Sequence, residues 1–467
     1  MIFNKCNLFI GAVAALSLLP MTAPFAGAQQ PSGAIVQSSE ALPSSDSAAQ
    51  SATSDSLALG LEDIFSLIDS DNRTLQMLRS GVEAAEEGVK NAKLALSPDI
   101  NAKVSVSYIG NAFLTDRDFS NFTRTETPHF GNTFSIDASQ VVYAGGAIKA
   151  GIDLAKYGLE RSNLTLEKTR QSLRLVAAGQ YLDLYRVRNG IKVYKENISL
   201  TEKLISDIRI RREQGLALAD DVTRYELQLQ SLLLELERLQ NTADVMNYRL
   251  CESLCLPEGT ILSTDLPSSE ADSGTPLGQW QDVAEQSSLT LRLARVGQNE
   301  ADAARRVALS DMIPKIAIVA HDDLNGPITF EIPPINKNLN IWYVGLGVNY
   351  SFGSLYKSRA KLRQAEASSR VAAKAVDVSA ENLRSDVKQA YSDYMLAFTE
   401  LETRKKSLQL ASENYDRIYY RYMEQLALVT DMLDAFTMKL NAEIGVADAE
   451  AEIQYRLCKL KYTAGTL

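Results

Sequence analysis

The sequence predicts a mostly α-helical chain with a transmembrane β-barrel contribution, built as two helix–strand–strand–helix halves. Three observations carry this. Apolar residues recur every 3.5 positions over long stretches, as in a coiled-coil seam. Four short segments alternate apolar and polar residues with period two, as strands with one oily and one wet face do. The pattern also occurs twice. Gln214-Gly215-Leu216-Ala217-Leu218-Ala219-Asp220-Asp221-Val222 matches Glu424-Gln425-Leu426-Ala427-Leu428-Val429-Thr430-Asp431-Met432 in its Leu-Ala-Leu, its Asp and the apolar residue after it. At the same separation Tyr181 meets Tyr391 and Ala155 meets Ala365.

The N-terminus reads as a secretory signal peptide over 1–28. Lys5 precedes an apolar stretch from Leu8 to Leu19, Pro20 ends it, and Ala26-Gly27-Ala28 supplies small residues at cleavage-type spacing. Residues 29–56 are rich in Ser, Ala and Gln, and bury too little apolar surface to offset chain entropy, so a flexible leader is expected. The first structural repeat then spans 57–255, a Ser/Pro/Gly-rich linker 256–276, and the second repeat 277–467.

Each helix has its own signal. Leu75, Leu78, Val82, Ala85, Val89, Ala92 and Leu96 step by three and four, which predicts a helix over 62–97. Val222, Tyr225, Leu229, Leu232, Leu236, Leu239, Ala243, Met246 and Leu250 do the same and predict a helix over 219–255. The Pro-free stretches 147–212 and 355–423 predict helices of about 66 and 69 residues, roughly 100 Å long at 1.5 Å per residue. Such lengths exceed a compact domain, so these helices must lie along others in an elongated bundle. The shorter helices, stacked end to end, are long enough to run beside them. A final Ala-rich helix is expected over 430–462.

The strands follow the prolines Pro98 and Pro314. Ile100, Ala102, Val104, Val106 and Tyr108 alternate with polar residues, as do Phe134, Ile136 and Ala138, and Trp342, Val344, Leu346, Val348, Tyr350 and Phe352. The segment 315–320 alternates less cleanly, because Ala317 and Val319 fall on the wet face. Segments 111–129 and 324–340 read as external loops. The oily face suits either a soluble sheet packed on a core or a membrane barrel facing lipid; four strands do not close a barrel, whereas three copies supply twelve, an allowed even number.

Composition bounds the function. The chain of 467 residues has a formal charge of −10, which argues against nucleic acid as a partner. No apolar run reaches the length of a membrane-spanning helix. His129 and His321 fall in or near loops without spaced Cys, His or Glu partners, so no metal is expected. Phosphate-loop, nucleophile-elbow and dinucleotide motifs are absent, which predicts neither an enzyme nor a cofactor. Cys251 and Cys255 are four apart on one helix face, compatible with a tight disulfide or with small buried residues.

The signal peptide, the duplicated halves, Tyr143-Ala144-Gly145-Gly146 entering a long helix, the Asp431-Met432-Leu433-Asp434-Ala435 turn and the closing Ala464-Gly465-Thr466-Leu467 together resemble the TolC-type outer-membrane efflux proteins over roughly 57–467. The resemblance implies a homotrimer whose twelve-stranded barrel sits in outer-membrane lipid. The barrel continues as a helical tunnel into the periplasm. It implies a passive duct served by a periplasmic adaptor and, indirectly, an inner-membrane pump. Gln214, Gly215, Leu216 and Ala217, with Glu424, Gln425, Leu426 and Ala427, match the family's adaptor-contacting tips. Asp431 and Asp434 match its acidic entrance ring, and as i and i+3 they share a helix face. They are equally readable as a helix cap and an acidic first turn; Asp220 and Asp221 allow the same two readings, and there the cap is favoured. Some members lock the entrance with an Arg that is Ala427 here, so closure falls to other contacts, with Arg421 and Arg224 as candidates. The family's architecture equally serves type I protein secretion. A periplasmic coiled-coil structural or adaptor protein is the reading from a different class.

Overall fold

A computed structural model describes residues 57–266 and 274–467. The signal-peptide and leader readings, 1–28 and 29–56, lie outside the described residues. In chain order the elements are β1 (Leu57–Leu59), α1 (Leu61–Asp71), α2 (Arg73–Leu94), β2 (Asp99–Tyr108), β3 (Ala112–Leu114), β4 (Thr123–Thr125), β5 (Phe130–Tyr143), α3 (Ala147–Glu213) and α4 (Ala219–Ser253). After β6 (Leu262–Thr264) come α5 (Leu277–Ser287), α6 (Leu289–Ser310), β7 (Lys315–Gly326), β8 (Leu339–Asn349), α7 (Ser354–Met423) and α8 (Val429–Ala464).

The two long helices hold 67 and 70 residues, as their Pro-free composition implies. The helix expected over 62–97 is divided. Asn72 adopts an extended conformation between α1 and α2, and its side chain accepts from the Thr74 and Leu75 amides at 2.9 and 3.3 Å, capping α2. Ser288 separates α5 from α6 in the same way, accepting from the Leu291 amide at 3.4 Å. The break escapes a periodicity test because the apolar steps continue across it. Its function is visible in a second bond: the Asn72 amide donates to the Ser253 carbonyl at 3.3 Å, seating the start of α2 on the end of α4. At the equivalent junction Gly465, which ends α8 with φ +80°, lies so close to Ser287 that an added Cβ would stand 2.6 Å from its carbonyl oxygen. The shorter helices thus stack end to end beside α3 and α7.

The main sheet is antiparallel in the order β2-β5-β7-β8. Two corrections fall on β7. It extends to Gly326, through residues read as loop, and His321 lies inside it. A strand paired on both sides is held by its ladder, so its imperfect alternation costs little. The expected loop over 111–129 also carries the short β3–β4 ribbon. Gly145 and Gly146, both at positive φ, make the turn from β5 into α3. β1 pairs in parallel with β6, which lies within the 256–276 segment.

Three large clusters form the core. One joins α1, α3, the end of α4 and α8 around Tyr181. The Tyr181 hydroxyl accepts from the Asp265 amide at 2.9 Å and faces the Leu59 and Asp265 carbonyls at 2.9 and 2.8 Å, tying both chain segments to α3. A second cluster binds α3, α4, α7 and α8 near the helical turns, and a third joins α5, α7 and α8. Cys251, Cys255 and Cys458 are free thiols, so the tight bridge between the first two is not formed.

Candidate functional site

The two turns expected at the tunnel tip are built alike. After α3, Gly215 takes φ +75° and the Leu216 amide reaches back to the Arg211 carbonyl at 2.8 Å. After α7, Gln425 takes φ +62° and the Leu426 amide reaches the Arg421 carbonyl at 2.7 Å. Both are left-handed helix terminations with the long return bond that satisfies an orphan carbonyl. Each turn leaves two leucines in solvent: Leu216 and Leu218, then Leu426 and Leu428, the last pair 68% and 69% exposed.

The fold brings the two turns together. The Arg211 guanidinium donates to the Met423 carbonyl and lies 2.8 Å from its sulfur. The Gln425 side-chain amide donates to the Leu216 carbonyl at 3.2 Å. Between the turns is a cleft of about 500 Å³ lined by Arg211, Ala217, Arg224, Tyr422 and Ala427 among others. Arg224 therefore borders it, whereas Arg211, which sequence reasoning overlooked, spans it. Its partner lies far off in the chain, so spacing held no signal.

Asp431 is not the N-cap of α8. Leu428 holds that place, and Asp431, three residues on, accepts from the Leu428 amide at 3.1 Å. This is the reciprocal half of a capping box. Asp221 does the same for α4, accepting from Leu218 at 3.2 Å, and is likewise one turn inside the helix. A leucine cannot cap through its side chain, so only the reciprocal bond, from the Leu218 or Leu428 amide to the aspartate, is made. Asp434 is exposed and makes no hydrogen bond or ion pair among the described residues. Its carboxylate is thus left for solvent and solutes.

Behind the tip lies a phenol-rich core. Tyr225 is 1% exposed and its hydroxyl has no partner among the described residues. Burial pushes Tyr415 and Tyr422 up to about 12, and raises Tyr225 further, so all three stay neutral. Tyr415 packs on Phe436 and Tyr419, with the Lys439 ammonium 4.9 Å from its ring centre.

At the other end, the sheet separates its two faces. Ile100, Val104 and Val106 of β2, with Trp342, Val344, Leu346 and Val348 of β8, form a largely apolar face, interrupted by Asp322 between Ile136 and Trp342, which accepts from the Asn340 side-chain amide at 2.7 Å; Trp342 and Leu346 are 72% and 74% exposed. The opposite face carries Asn101, Lys103 and Ser105, then Ser135 and Asp137, then His321 and Asp323. β2 and β8 are the outer strands, each with one edge unpaired among the described residues.

Comparison with known proteins agrees with this geometry. The family model described as outer membrane efflux protein matches residues 65–254. Outer membrane protein TolC of Salmonella enteritidis is 21% identical over 425 residues, covering 88% of this chain and 83% of TolC. The outer membrane protein VceC of Vibrio cholerae superposes with a TM-score of 0.73 at 14% identity, over 87% of this chain and 96% of VceC. The open-state MtrE outer membrane channel of Neisseria gonorrhoeae gives 0.68 at 16% identity, over 87% of this chain and 88% of MtrE. The structural likenesses carry the fold: mostly helical, with a strand contribution. The family match over residues 65–254, the TolC likeness over 88% of the chain and the duplicated architecture agree in making the chain similar to the outer membrane efflux proteins.

Proposed function

We propose that three copies of this chain form an outer-membrane channel, the passive duct of a tripartite export system. It carries small molecules from an inner-membrane pump, through a periplasmic adaptor, to the exterior, and catalyses no reaction of its own. The observation that carries this reading is the sheet β2-β5-β7-β8, with an exposed apolar face and open edges at β2 and β8. In water such a sheet is an aggregation hazard. In a bilayer its apolar face meets lipid, but every backbone group must then find a partner, so the sheet must close. Three copies close it by joining β8 of one to β2 of the next. Exposed apolar residues on α2, α4 and α7, such as Met77, Leu227 and Val371, supply the matching helical contacts.

The tip residues take their roles from this arrangement. Leu216, Leu218, Leu426 and Leu428 offer the adaptor apolar knobs at the periplasmic end. The turns Gln214–Ala217 and Glu424–Ala427 position them. Asp431 and Asp434, repeated by three, ring the entrance with carboxylates that favour cations and repel anions.

The test is stoichiometry and partition. Membrane extraction should require detergent, and native mass spectrometry should give the mass of three chains. A soluble monomer in the periplasmic fraction overturns the reading.

A further inference from the structure

The barrel wall holds an ionisable pair that the duct reading leaves without a role. His321 of β7 stands opposite Asp137 of β5, and its Nδ1 is 2.6 Å from an Asp137 carboxylate oxygen. An ionised carboxylate only accepts, so Nδ1 carries the proton and donates. The ring's lone pair is then on Nε2, to which the structure gives no partner among the described residues. Tyr343 of β8, the register partner on the other side, packs against the imidazole with ring centres 5.2 Å apart. The His321 side chain remains 27% exposed. Asn101 continues the row on β2, and Asp323 lies two residues along β7 on the same face. Ala320, Ile136 and Trp342 occupy the opposite face, with Asp322 between the last two.

Ionisable side chains are ordinary on the lumen face of a barrel strand, so this pair is singled out by its geometry and not by a cost of burial. An imidazole held by a carboxylate on one nitrogen, with the other free, is the arrangement by which proteins orient histidine ligands to metal ions. We propose that His321 Nε2 is a docking ligand for borderline transition-metal dications such as Ni2+, Cu2+ and Zn2+, with Asp137 as its positioning residue and Asp323 as an acidic neighbour. Among the described residues no three His, Cys, Asp or Glu side chains are grouped to enclose an ion. The site therefore offers one imidazole and at most one nearby carboxylate, with water completing the shell. It is open and exchange-labile, as a conducting wall requires: binding must be weak enough to release. That the imidazole faces the pore rests on the trimeric-barrel reading, whereas the coordination chemistry does not.

The chain's composition makes the test clean, because it holds only two histidines. Untagged detergent-solubilised trimer with Cys255→Ser, which removes the exposed thiol, is titrated calorimetrically with NiCl2. The expected result is one Ni2+ per chain, lost in His321→Asn, kept in His129→Asn and weakened about 10- to 100-fold in Asp137→Asn. Cu2+ electron paramagnetic resonance, in the same folded trimers, should show one imidazole nitrogen coupling that vanishes with His321→Asn. Equal binding by His321→Asn and the parent overturns the site. Planar-bilayer recording of the same preparations separates the two claims: pores with His321-independent Ni2+ binding sink only the metal site. Trimers that bind Ni2+ through His321 without conducting sink only the duct.

Discussion

The Gln425 side-chain amide donates to the Leu216 carbonyl at 3.2 Å, joining the turn after α7 to the turn after α3. With the Arg211 guanidinium on the Met423 carbonyl, it forms a reciprocal clasp between the two helical hairpins. Each bond is made by one hairpin's side chain to the other's main chain. The clasp therefore depends on the relative placement of the hairpins, and a change in one shifts both.

Removing the clasp should loosen the tip. Arg211→Ala with Gln425→Gly deletes both donors, while glycine keeps the left-handed conformation that Gln425 holds at φ +62°. The loss is about 2–4 kcal/mol for a charge-assisted and a neutral bond together. Single-channel recording should show longer or larger openings than in the parent. Unaltered conductance and gating would mean that the clasp does not restrain the entrance.

The acidic ring is tested by charge removal. Asp431→Ala with Asp434→Ala should raise conductance and weaken block by multivalent cations, because carboxylates at the entrance concentrate those cations. Asp431→Ala alone also removes the acceptor for the Leu428 amide, so a cost of about 0.5–1 kcal/mol at the start of α8 is expected. Asp434→Ala separates the effects, since Asp434 makes no such bond. Block that is identical in parent and double variant would argue against the ring.

Tyr225 predicts a gain in stability. Its hydroxyl is buried without a partner among the described residues, and such a group costs about 1–3 kcal/mol. Tyr225→Phe keeps the ring and removes the orphan, so the thermal midpoint of the detergent-solubilised protein should rise by a few degrees. A fall would show that the hydroxyl is satisfied in the assembled trimer.

The sheet predicts opposite tolerances at adjacent positions. Leu346→Arg puts a charge on the apolar face, at about 2–4 kcal/mol if it lies near the bilayer midplane. Gly345 is on the other face, and an added Cβ meets nothing within 4 Å. Immunoblots of outer-membrane fractions should show little Leu346→Arg trimer and near-parental Gly345→Ser. Equal levels of the two would contradict the assignment of faces.

Much of this architecture was legible because it follows from periodicity. The seam from Val222 to Leu250 and the alternation from Ile100 to Tyr108 each report a local surface, and local surfaces appear in local sequence. What remained hidden depends on partners distant in the chain. Asn72 divides a periodic helix because its amide reaches Ser253, and no spacing near Asn72 announces that bond. His321 looked like a loop residue without partners because its carboxylate, Asp137, belongs to the other half. Arg211 was overlooked for the same reason. The sequence pattern suits Asp431 as a cap, and the structure places it one turn inward, because Leu428 has the extended conformation an N-cap needs.

The central claim, that this chain makes a conducting trimer, is tested most directly by reconstituting the purified trimer in planar bilayers. The account predicts discrete current steps of uniform size. It also predicts that the steps are absent when a charge on the apolar face of β8, as in Leu346→Arg, blocks insertion. A correctly assembled trimer that inserts stably in lipid and passes no ions would contradict it.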